Sequence, residues 1–118
     1  MIYLDANATT PVDPLVLEAM LPFLREQHAN PSASHAGGRR ARRAIDLARG
    51  QLASLLGART EEIVFTSGGT ESINAVHASV RALWPEKPEL IITGTEHAAV
   101  QASALRWQAQ GGRVVTSP

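Results

Sequence analysis

The sequence predicts an α/β fold built on a mainly parallel sheet, and two observations carry that prediction. Short apolar, β-prone stretches end in small or polar residues. Each is followed by a longer stretch with apolar side chains at three- and four-residue spacing. The order strand, helix, strand, helix, strand calls for crossover connections and parallel neighbours. With helices available for both faces, the predicted architecture is three-layered.

Residues 1–14 read as an extended N-terminal segment, and residues 15–118 as helices and the start of the sheet. In IYLDANATTPVDP, Thr10, Pro11, Asp13 and Pro14 are turn formers, and Pro14 suits the first turn of a helix. Leu15, Leu17, Met20, Leu21, Phe23 and Leu24 follow as an apolar helical stretch, which Pro22 is expected to kink or shorten. HANPSASHAGG, residues 28–38, is a loop by composition. The spacing of Ile45, Ala48, Leu52 and Leu55 predicts a helix over 39–56, with Gly57 as its C-cap. EIVFT, residues 62–66, predicts a short buried strand ended by Ser67-Gly68-Gly69. Ile73, Val76, Val80 and Leu83 predict the next helix, stopped by Pro85. LIIT, residues 90–93, is the second strand. A helix over 97–110 closes on Gly111-Gly112, and RVVT opens a third strand.

The chain has 118 residues, one domain's worth or less, with 44% apolar and 19% charged side chains, as in a globular core. Its formal net charge is zero, so no global field recruits nucleic acid or an anionic membrane. The arginines of 39–49 form a solvated or interface-facing helix surface, because aromatics at 4% leave few platforms for stacking bases. No apolar run approaches ~18 residues, and the opening residues show no charged n-region followed by a long apolar run. Cysteine is absent, which removes disulfides, thiolate metal sites and a thiol nucleophile together. A cytoplasmic protein is expected, without membrane or nucleic-acid partners.

In open parallel sheets, ligands collect beyond the carboxyl ends of the strands. Two loops there carry chemistry. In Ser67-Gly68-Gly69-Thr70, glycine lets backbone N–H groups approach closely, a helix start offers donors, and Thr70 adds a hydroxyl. That suits a phosphate, yet the stretch is neither a Walker loop nor GxGxxG, and a plain structural turn accounts for it as well. In Thr95-Glu96-His97, the histidine is placed to stack on a ring or transfer protons, or else simply opens a helix. His28 and His77 read as helix-end and packing residues, and His35 is undecided between roles. No histidine pair has metal spacing, so no metal is expected.

These stretches, taken together, resemble the N-terminal part of cysteine desulfurases of the NifS/IscS type, relatives of the class V aminotransferases. YLDANATTPVDP at 3–14, NPSASH at 30–35, LARGQLASLLGA at 47–58, EIVFTSGGTES at 62–72 and IITGTEHAAV at 91–100 occur in family order. The resemblance covers essentially the whole chain. It implies the large domain of a PLP-dependent transferase of fold type I, incomplete in this chain, using pyridoxal 5′-phosphate. It implies a homodimer that takes sulfur from L-cysteine and leaves alanine. The sulfur passes as an enzyme persulfide to iron–sulfur scaffold or other sulfur-acceptor proteins. By position, Gly69 and Thr70 match residues that bind the cofactor phosphate. His97 matches the catalytic histidine that stacks on the pyridoxal ring and is held to shuttle protons. ATTP, Ala8 to Pro11, matches a piece near the active-site entrance. NPSASH matches a loop near the dimer interface, where Ala33 replaces a more usual serine.

That chemistry also needs a lysine to bond the cofactor and a cysteine to accept sulfur. Lys87 is the one lysine beside ten arginines. It sits in Pro85-Glu86-Lys87-Pro88, at the amino end of the LIIT strand and away from the expected cofactor end. The chain therefore reads as an N-terminal fragment without desulfurase activity of its own. A selenocysteine lyase fragment and a non-catalytic phosphate-binding or dimerisation module are the alternatives.

Overall fold

A computed structural model describes residues 2–118. They form helices α1 (Pro14–Arg25), α2 (Ala36–Leu56), α3 (Gly69–Leu83) and α4 (Ala98–Ala109), strands β1 (Glu89–Thr93) and β2 (Arg113–Ser117), and a 3-10 turn over Thr60–Glu62. They divide into two compact units, one running to Val64 and one from Phe65 to Pro118.

In the first unit, Asp13 starts α1 by accepting the Leu15 N–H at 2.8 Å, with Pro14 in the first turn. Pro22 does not break the helix. It stands one turn from the end, and its carbonyl still accepts from Glu26 and Gln27 at 3.0 and 2.8 Å. Helix α2 begins three residues before its expected start, because His35 caps it: His35 Nδ1 accepts the Gly38 N–H at 3.3 Å. Two glycines so early in a helix are unfavourable by propensity. Gly38 is nonetheless buried against the Asn30–Ala33 turn, where a Cβ would collide with the Ala33 carbonyl oxygen. The helix ends as expected at Gly57, left-handed at φ 64°, with Ala58 N–H returning to Ala53 O at 2.9 Å. Arg49 Nε reaches Ile63 O at 3.2 Å and ties α2 to the chain beyond the 3-10 turn.

The expected strand over 62–66 is not formed. Glu62 closes the 3-10 turn, and residues 63–66 belong to no helix or strand. Val64 is 77% exposed and Phe65 47%. The apolar, β-prone composition is present, but a strand exists only as half of a ladder, and these residues pair with neither β1 nor β2.

In the second unit, β1 and β2 run parallel in the register Glu89↔Arg113 to Thr93↔Ser117, joined by α4. An Arg113–Glu89 ion pair at 2.9 Å closes one end. Helix α4 packs on both strands, and α3 packs on α4. The centre of the unit is Trp107, 4% exposed, with Ala99, Ser103 and Ala104 buried on the same helix. Trp107 satisfies its indole N–H on Pro88 O at 2.8 Å, just before β1. His77 of α3 meets its ring edge-on at 6.3 Å, and Arg81 lies 5.2 Å from its centroid. Gly112 is glycine for want of space, since a Cβ there would collide with the Trp107 ring. The fold is thus α/β around a small parallel sheet.

Candidate functional site

The second unit brings the two predicted loops to one end. Contacts between α3 and α4 advance together along both helices: His77 bonds Ser103, and further on Arg81 bonds the Gln110 carbonyl. The helices are therefore parallel. His77 lies eight residues past Gly69, and Ser103 five past Ala98, so by a rise of 1.5 Å per residue both helices start within about one turn of the same level. His97 and Gly94 follow β1 directly, so this is the carboxyl end of the sheet, where ligands collect. Lys87 lies two residues before β1, at the other end, with its ammonium 5.6 Å from the Trp84 ring.

The helix starts differ in how their N–H groups are used. Helices α1, α2 and α4 are each capped by a side chain, from Asp13, His35 and His97 respectively. Helix α3 begins on Gly68 with no side-chain cap. Gly68 and Gly69 are exposed, and a Cβ on either would meet nothing within 4 Å. Thr70 is exposed in the first turn, its carbonyl held by Asn74 Nδ2 at 2.8 Å. The donor set is thus the first backbone N–H groups of a helix, those of Gly69 and Thr70 among them, plus a hydroxyl, in open space. This is the chemistry of an anion site, and it fits a phosphate monoester.

The loop before α3 is braced. Ser67 N–H and Oγ both donate to Glu71 Oε2, at 2.7 and 2.6 Å. Thr66 Oγ1 lies 2.8 Å from Ser72 Oγ, and both hydroxyls reach Gly68 O. The Ser67 bonds, first the hydroxyl and then the backbone N–H, hold the Glu71 carboxyl below the usual carboxylate range. This bracing was not apparent in sequence beyond the four-residue spacing of Ser67 and Glu71.

At the start of α4, His97 Nδ1 accepts the Ala99 N–H at 3.1 Å. An accepting Nδ1 leaves the neutral ring's proton on Nε2, and the exposed ring is oriented by its own helix. Glu96 steadies the loop: its Oε1 accepts from Thr93 Oγ1 at 3.1 Å, and its carbonyl from Gln101 Nε2 at 3.1 Å. The half-buried His77 packs at mid-helix and takes no part at this end. His35 is the α2 cap, and His28 is exposed beyond α1.

The aminotransferase class-V family profile matches residues 2–118. The chain belongs to this family. Enzymes of the family generally depend on pyridoxal phosphate. A cysteine desulfurase of Frankia sp. (strain EuIK1) is 50% identical over 105 residues, covering 88% of this chain and 25% of that protein. Among solved structures, a NifS-like protein superposes with a TM-score of 0.90 at 39% identity, over 99% of this chain and 32% of its own. SspA in complex with cysteine gives 0.86 at 38% identity, over 98% of this chain and 34% of its own. The chain spans about a quarter of the length of the curated relatives it matches. The fold of the NifS-like proteins is therefore present here in part.

Proposed function

We propose that this chain is the phosphate-receiving, ring-orienting part of a pyridoxal 5′-phosphate-dependent cysteine desulfurase, acting on L-cysteine. The observation that carries the reading is the contrast in capping. Three helices use a side chain to close their own start, whereas α3 leaves its donors open on two glycines. The relatives named cysteine desulfurase, and the neighbour solved with cysteine, support the substrate class. In this reading residues 1–118 are the N-terminal portion of the large domain. The whole protein is a cytoplasmic homodimer that hands sulfur to iron–sulfur scaffold or other acceptor proteins. The resemblance to the NifS/IscS type supports these last features.

When bound, the cofactor supplies an electron sink for bond cleavage at the substrate. The residues of this chain do the holding. The N–H groups of Gly69 and Thr70 and the Thr70 hydroxyl would bind the phosphate dianion at the positive end of α3. His97 would lie against the ring, where its Nε2 could hold or pass a proton while Ala99 N–H fixes Nδ1. A lysine to bond the cofactor is not supplied at this end, and no cysteine occurs among the 118 residues.

Titration of the chain with pyridoxal phosphate, followed by cofactor absorbance, tests the reading. Thr70→Ala removes one hydrogen bond to a charged group, worth about 1.5–3 kcal/mol, so affinity is expected to fall by roughly tenfold or more. Unchanged affinity in both Thr70→Ala and His97→Ala would show that the cofactor, if bound, sits elsewhere.

A further inference from the structure

Glu71 is the third residue of α3, the position from which a glutamate ordinarily reaches back to the N–H of the capping residue. The capping residue's own side chain then covers a first-turn N–H in return. Here both halves are altered. Gly68 has no side chain with which to cover a donor, and Glu71 reaches past it to the N–H and hydroxyl of Ser67. The carboxylate thereby fastens the corner from outside the helix and leaves the first-turn donors uncovered. The Thr66–Ser72 hydroxyl pair, on the same Gly68 carbonyl, adds a second tie across the corner.

Two physical problems are met by this arrangement. Consecutive glycines have the largest backbone freedom of any pair, so an unbraced Gly68-Gly69 would present its N–H groups in many directions. A carboxylate in the first turn of a helix is also drawn to the same positive end as a phosphate, and would compete for it. Holding the carboxylate on Ser67 addresses both.

We propose that Glu71 is a positioning residue: through Ser67 it locks the Gly68-Gly69 corner in the form that receives a phosphate, and it keeps its own charge off the donors. The inference rests on the cofactor reading above. Glu71→Ala is expected to weaken pyridoxal phosphate at least tenfold and to speed hydrogen exchange at the Ser67 amide. Glu71→Gln, whose amide oxygen accepts the same two bonds, is expected to restore affinity to within threefold. Pyridoxal, which lacks the phosphate, should bind Glu71→Ala and wild type alike. Equal pyridoxal phosphate affinity of Glu71→Ala and wild type overturns the proposal, as does an equal loss for pyridoxal. If Thr70→Ala weakens binding while Glu71→Ala does not, the positioning role alone fails. If neither does, or if the wild-type chain binds no cofactor, the cofactor reading fails and this inference falls with it.

Discussion

Helices α3 and α4 start at the same end of the same unit, and they start in opposite ways. Helix α4 opens on His97, whose ring nitrogen accepts from its own first turn; α3 opens on Gly68, which has nothing to offer. A good side-chain cap is worth about 1 kcal/mol over alanine but only a few tenths over glycine, so α3 leaves its donors open on Gly68 at little cost in stability. On the proposed reading, the difference separates two tasks. A helix start that is to hold an external anion must leave its donors unspent. One that is to aim a side chain spends a donor to fix that side chain. The pair makes sense as one site only if α3 and α4 are held level, and that dependence orders the ways to break it.

The largest effect is expected from Trp107→Ala. Trp107 is the buried centre of the second unit, bonded to Pro88 O and meeting His77 and Arg81 of α3. Large-to-small replacement of a buried tryptophan costs about 3–5 kcal/mol. Chemical denaturation should show a loss of that size, with any pyridoxal phosphate affinity falling alongside it. A loss under about 1 kcal/mol would mean that α3 and α4 are aligned by something other than Trp107.

A smaller effect separates the two uses of His97. Replacing an N-cap side chain by alanine costs ~0.5–2 kcal/mol, whereas asparagine is a good cap. His97→Ala should therefore lower the stability of the chain, and His97→Asn should restore it without restoring a ring to lie against the cofactor. Pyridoxal phosphate affinity is expected to stay low in both. Recovery of affinity with asparagine would reduce His97 to a cap and remove it from the chemistry.

Much of this pair was legible in sequence, for identifiable reasons. Apolar spacing located α3 and α4: in α4 the buried Ala99, Ser103 and Trp107 repeat with the helical period, whereas α3 buries no residue fully and leaves Val76 and Leu83 exposed. LIIT and RVVT became β1 and β2 because each found the other as a partner. EIVFT, of similar composition, did not become a strand: pairing is a property of two segments, and composition describes one. The early start of α2 was hidden for a related reason. Gly37 and Gly38 argue against helix by propensity, and only the close approach of Gly38 to the Ala33 carbonyl shows why glycine stands there. Gly69, Thr70 and His97 were proposed from expected strand-end positions and family resemblance, and of the two loops only that of His97 follows a strand that forms. Glu71 was passed over, since its role is a bond to Ser67 that no motif announces.

The smallest expected effect concerns the charge of Glu71, and its sign follows from the direction of its shift. The Ser67 bonds favour the carboxylate and lower its folded-state value from an ordinary 4.5. A group lowered on folding contributes stability above its unfolded value and loses it as pH falls through the folded one. Wild type should therefore gain relative to Glu71→Gln as pH rises through the region of 4.5 and below, and the difference should be level from there to neutrality. Because the carboxylate is exposed to solvent, the gain is small and weakened by salt. Denaturation midpoints of the two proteins against pH, at low and high salt, measure it. A difference that grows between pH 6 and 8 would point to a titrating group other than Glu71. A gap that widens as pH falls would reverse the sign, and the bond to Ser67 would then favour the protonated acid. In that case the start of α3 would carry no fixed negative charge for Ser67 to restrain, and the contrast with α4 would rest on the glycines alone.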